Sequence, residues 1–131
     1  MTGLLLAAAL LIAPVSGTSR LKPPGGAFAP LTSSQSVDYG ATVDAIHGTV
    51  KVAPSTTQKA LAKGAIFTVT QSGDMTVLKT ASCRHTFTVS TPTGGFITKT
   101  GKMTITARKS ARWEVSRNCT YLRVLRGTVE G

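Results

Sequence analysis

Threonine-rich alternation, broken every few residues by glycine or proline, is the feature that most restricts the fold of this chain. From residue 14 onward no stretch keeps apolar residues at i, i+3, i+4 and i+7 for three turns, so amphipathic helices are not expected. Ala65, Phe67 and Val69 share one phase, with Thr68 and Thr70 on the other. His85, Phe87 and Val89 alternate with Thr86 and Thr88, and Met103, Ile105 and Ala107 with Thr104 and Thr106. Leu122 and Val124 alternate with Tyr121, Arg123 and Leu125. A branched β-carbon suits the solvent side of a pleat, so these segments read as half-buried strands. Ser72-Gly73-Asp74 and Thr93-Gly94-Gly95 supply turns, and residues 57–62, bounded by Pro54 and Gly64, read as loop or strand. The length of 131 residues leaves room for one domain, and the expectation is all-β.

Residues 4–13, LLLAAALLIA, are uninterrupted apolar sequence. A span needs about 20 helical residues, so this run is too short to cross a bilayer but has the length of a signal-peptide h-region. Residues 1–16 are therefore expected to form an apolar leader helix, with a cleavage site among the small residues 13–19 and export from the cytoplasm. The n-region carries no Lys or Arg, and a buried core segment is the alternative reading. Cys83 and Cys119 lie 36 positions apart. In an oxidising compartment one disulfide is the simplest use of an even pair, against two buried reduced thiols otherwise.

Charge narrows the function classes. The chain has 15 Lys+Arg against five acids, Asp38, Asp44, Asp74, Glu114 and Glu130, no two of them close in sequence. Paired carboxylates, nucleophile signatures and phosphate-cradling loops are absent, and His47, His85, Cys83 and Cys119 form no CxxC or HxxxH group. Neither an enzyme, a resident metal, a cofactor nor a small-molecule substrate is expected. Residues 99–126 hold Lys99, Lys102, Arg108, Lys109, Arg112, Arg117, Arg123 and Arg126 against Glu114 alone. This segment is the candidate polyanion-binding site, for nucleic acid, anionic lipid or an acidic wall polymer. Odd and even positions are mixed, so on one continuous strand the cations would point to opposite faces. The alternative reading is solvated edges protected by charge against edge-to-edge pairing. Trp113 continues the odd phase of Met103, Ile105 and Ala107 and is expected to anchor the core rather than serve as a stacking platform. His47 and His85 read as structural or surface residues.

A weak repeat runs through the chain: residues 43–52 (VDAIHGTVKV) parallel residues 122–131 (LRVLRGTVEG), with a partial copy at Gly17-Thr18. It reads as a repeated hairpin unit with a bulge or turn at the glycine.

These residues also resemble a family pattern. Val15-Ser16-Gly17-Thr18, residues 22–31 (KPPGGAFAPL), residues 39–44 (YGATVD) and residues 47–52 (HGTVKV) resemble the start of a bacterial FecR-like domain. Residues 65–70 (AIFTVT), Phe96, Gly101, Trp113, Cys119 and residues 125–129 (LRGTV) resemble the rest, closest to a secreted single-domain actinobacterial form. The resemblance implies a small twisted β-sandwich or a β-solenoid of stacked hairpins over residues 17–131. Relatives continue by a strand or two beyond the position of Gly131, which implies a domain cut short at the C-terminus. No catalytic residues carry over. The implied role is binding or signalling at the cell envelope, with an envelope protein or polymer as partner; a cationic polyanion-binding module is the alternative.

Overall fold

The structure, a computed structural model, describes residues 10–80 and 83–131. Its strands are β1 (Leu10–Gly17), β2 (Arg20–Lys22), β3 (Ala29–Pro30), β4 (Gln35–Val37), β5 (Thr42–Asp44), β6 (Gly48–Ala53) and β7 (Ala60–Lys63). There follow β8 (Ile66–Ser72), β9 (Met75–Lys79), β10 (Phe87–Thr91), β11 (Phe96–Lys99), β12 (Thr104–Ala107), β13 (Ala111–Val115) and β14 (Leu122–Gly127). A 3-10 turn at Arg117–Cys119 is the only helical element among the described residues. The all-β expectation therefore holds. The strands form two seven-stranded sheets, in the orders β14-β13-β10-β7-β6-β1-β4 and β12-β11-β9-β8-β5-β2-β3. We call these the first and second sheet. Every pairing is antiparallel except β9 with β11.

The sheets share one core. Phe67 of β8 stacks on Phe87 of β10 with ring centroids 5.5 Å apart, and Trp113 Nε1 of β13 donates to Thr98 Oγ1 of β11 at 3.1 Å. Both contacts join the second sheet to the first. Ala65, Phe67 and Val69 point inward as their phase requires, and so do Ile105 and Ala107. The odd phase survives the change of sheet between β12 and β13: Lys109 is exposed at the corner, and Ala111, Trp113 and Val115 are buried again. Inward means the same core for both sheets, so parity persists although the strand does not. Trp113 is fully buried and anchors this core. Residues 60–63 resolve as strand β7, and Gly73-Asp74 forms the two-residue turn between Ser72 and Met75.

Three segments differ from their sequence reading. His85 lies ahead of β10 and is exposed, and β14, read as half-buried, leaves Val124 and Leu125 exposed at the sheet edge. The larger departure is the leader. Residues 10–17 are strand β1, paired with β4 through Leu10, Leu11 and Ile12 and with β6 from Leu11 to Gly17. Leu10 and Ile12 are fully buried. Residues 10–16 thus form a strand of the domain, not a helix ahead of it; residues 1–9, where the rest of that expectation falls, lie outside the described residues. A short apolar run suits an h-region and a buried strand equally well, because neither shows alternation. Cleavage within residues 13–19 would remove much of this strand. Pro14 lies past the last residue paired with β4, where one side of β1 is open and proline is tolerated.

The Gly-Thr repeat is real but differently phased. Gly17 and Gly127 each end a strand with positive φ, +67° and +75°, and a Cβ on either would overlap a backbone carbonyl oxygen, that of His47 or Ser110. Each is preceded by a bulge: Val15 is skipped in the pairing of β1 with β6, and Leu125 in that of β13 with β14. Gly48 instead begins β6 and is the register partner of Gly17. The equivalent units are therefore the ends of β1 and β14, rather than residues 43–52 and 122–131 read as hairpins.

Candidate functional site

The outer face of the first sheet is built by register. In β13, burial of Ala111, Trp113 and Val115 forces Arg112 and Glu114 outward. One row across the sheet then reads Arg126, Arg112, Ser90, Leu61, Lys51, on β14, β13, β10, β7 and β6. The next reads Arg123, Glu114, Thr88, Lys63, Thr49. The five strands span about 20 Å at the usual interstrand spacing. Five cations, Lys51, Lys63, Arg112, Arg123 and Arg126, share this face with Glu114, which Arg123 approaches at 3.6 Å. A groove of about 200 Å³ runs between Lys63 and Arg112, with Thr49, Leu61, Thr88 and Ser90 in its lining.

The mixed parity of the basic segment has a structural resolution. Arg112 pairs with Arg126 and Glu114 with Arg123, so the bulge at Leu125 shifts the phase of β14 by one residue. Arg123 and Arg126, odd and even, therefore reach one face. The remaining candidates go elsewhere. Lys99 is on the outer face of the second sheet, in register with Lys79 and Thr104. Arg108 pairs with Glu130 at 3.0 Å, and Lys109 is exposed at the corner before β13. Lys102 and Arg117 border a cavity at one end of the molecule with Arg84. Lys51 and Lys63 were missed because they lie well upstream of the basic segment, which begins at Lys99; only their alternation with Val50, Val52 and Ala62 marked them as outward-facing.

His47 and His85, isolated in the sequence, come together with ring centroids 6.4 Å apart. They line a cleft of about 630 Å³ that also includes Lys63 and Glu114. Among the described residues no group of three or more His, Cys, Asp or Glu is placed to hold a metal ion. Cys83 and Cys119 form a disulfide, which closes the alternative of two reduced thiols. Asp44 accepts from Arg20 at 2.7 Å and from the Ile46 N–H at 3.2 Å. Burial raises its carboxyl, but these hydrogen bonds and the charges of Arg20 and His47 outweigh that and hold it below the usual carboxylate range.

The chain is a disulfide-bonded two-sheet domain with a cationic sheet face. Comparison with known proteins adds no identity: no family model, curated protein or solved structure matches it.

Proposed function

We propose that this chain is an extracytoplasmic, non-enzymatic FecR-like β domain that acts at the bacterial cell envelope by binding an extended polyanion on the outer face of the first sheet. The observation that carries the reading is the pair of rows joining Lys51, Lys63, Arg112, Arg123 and Arg126 across five strands with one opposing carboxylate. The sheet fixes the spacing of these cations, and their summed field favours an anionic polymer over neutral ones. The disulfide supports an oxidising compartment. No described helix is long and apolar enough to cross a membrane. Three of the five acids, Asp44, Glu114 and Glu130, are engaged by arginines, which supports binding over acid–base chemistry.

Heparin and duplex DNA serve as probes of the face. For DNA, about five neutralised phosphates give a slope of log affinity against log salt of about −4.5. Arg112→Glu with Arg126→Glu should weaken binding by at least about tenfold and flatten that slope by about 2. Lys99→Glu, on the opposite face, should leave affinity nearly unchanged. A slope near zero, or equal losses from both faces, would overturn the reading.

A further inference from the structure

A second cationic site lies away from the rows of the sheet face, at the end of the domain where β10 begins and β13 ends. Beyond the last register pair, Phe87 with Val115, the segments leading into β10 and out of β13 are stapled by the Cys83–Cys119 disulfide. The Asn118 N–H donates to the Cys83 carbonyl at 2.8 Å, and the Cys119 N–H to that of Ser116 at 2.9 Å. Asn118 and Cys119 both have positive φ, 72° and 56°, a backbone region that L residues avoid and that the staple over-determines here. This end and the β11–β12 turn enclose an open cavity of about 640 Å³, into whose lining Arg84, Lys102, Arg117 and Asn118 enter together with the disulfide.

No carboxylate lines it. The ion pairs among the described residues are Arg20–Asp44, Arg108–Glu130 and Arg123–Glu114, so none of the three cations is spoken for. Nor does an acid reside in the undescribed residues: all five acids of the chain fall at positions 38, 44, 74, 114 and 130. Three like charges around one concavity repel one another unless an anion joins them, and a cleft concentrates their field.

We infer that this cavity binds a compact, multiply charged oxyanion of the phosphate class, such as a diphosphate or a phosphomonoester. Two guanidinium forks, an ammonium and the Asn118 amide offer donors from several directions, which suits a tetrahedral phosphate better than a planar carboxylate satisfied by one arginine. The volume exceeds that of bare phosphate and leaves room for a second phosphate or a small attached group. The site does not rest on the polyanion reading of the sheet face, since it shares none of its residues.

Calorimetric titration of the disulfide-bonded protein with pyrophosphate at low salt tests it. Saturable binding at one site is expected. Lys102→Ala and Arg117→Ala, both exposed side chains whose loss spares the core, should each weaken it by at least about fivefold, and the double variant should abolish it, with melting temperatures unchanged. Arg112→Glu with Arg126→Glu should leave pyrophosphate affinity intact while lowering that for heparin, so the two sites fail separately. Cys83→Ser with Cys119→Ser should weaken pyrophosphate binding by freeing Arg84 and Arg117 from their common staple. Absence of saturable binding, or binding that survives the Lys102/Arg117 double variant, would overturn the assignment.

Discussion

Strands β1 and β14 end in the same local device and differ in almost everything else. Pro14-Val15-Ser16-Gly17-Thr18 and Val124-Leu125-Arg126-Gly127-Thr128 each place a bulged apolar residue two positions before a glycine of positive φ. Yet β1 lies between β4 and β6 with Leu10 and Ile12 fully buried, whereas β14 is an edge strand whose Val124 is 44 % and Leu125 39 % exposed. Glycine and bulge decide where a strand stops and how it turns. They say nothing about depth, which depends on what lies on either side. The deep copy serves the core; the shallow one carries Arg123 and Arg126 to the cationic face.

The largest test of this contrast is a charge placed in each strand. Ile12→Asp buries an unpaired carboxylate between two neighbouring strands and should cost more than about 4 kcal/mol, enough to prevent folding of a marginal domain. Val124→Asp should stay within about 0.5 kcal/mol. Chemical denaturation reads both. A folded Ile12→Asp with a native-like midpoint would show that β1 is dispensable and would restore the leader reading for residues 10–16.

Next comes Trp113, on β13, which β14 flanks. Trp113→Ala should cost about 3–5 kcal/mol, because it empties the largest fully buried side chain and leaves Thr98 without its indole partner. The wild-type tryptophan emission should be blue-shifted. Red-shifted native emission with an unchanged melting temperature would mean that β14 protects more poorly still than its exposure indicates.

How much of this was readable beforehand follows from the range of each interaction. Inward parity at Phe67, Ile105 and Trp113 was legible because alternation is local and both sheets share one core. The turn at Gly73-Asp74 and the Cys83–Cys119 pairing were legible for similar reasons of composition and count. The depth of β1 was not, because its partners β4 and β6 lie some 20 to 40 residues away, and neither was the exposure of β14, whose far side is left open by the order of the whole sheet. The site divides in the same way. Arg112, Arg123 and Arg126 were marked as cationic, but their shared face depended on a one-residue bulge at Leu125, and Lys51 and Lys63 joined them only through β10 and β7.

The glycines sharpen the comparison at intermediate scale. Gly17→Ala and Gly127→Ala both force a Cβ against a carbonyl at positive φ. Gly17→Ala should cost about 1–3 kcal/mol, since β1 has no freedom to shift between its neighbours. Gly127→Ala should cost less, because an edge strand can peel away from Ser110. Equal losses by thermal denaturation would mean that the corner, not the depth of the strand, sets the penalty.

The smallest effect concerns the ion pair beside each corner. Arg20–Asp44 follows Gly17 at 2.7 Å with the Asp44 side chain only 14 % exposed; Arg108–Glu130 follows Gly127 at 3.0 Å with both partners more than half exposed. Asp44→Asn should therefore cost up to about 1 kcal/mol at neutral pH, and Glu130→Gln close to nothing. The depressed Asp44 carboxyl fixes the sign with pH. Its folded pKa lies below the unfolded value, so in acid the unfolded state binds more protons. The stability it contributes is complete above about pH 4 and drains away as pH falls through the depressed folded value. Urea denaturation of wild type and Asp44→Asn from pH 7 downward should show a gap that is flat to about pH 4 and narrows below it. A gap that stays constant into strong acid, or a Glu130→Gln loss as large as that of Asp44→Asn, would break the parallel between depth and electrostatic strength that the two corners otherwise share.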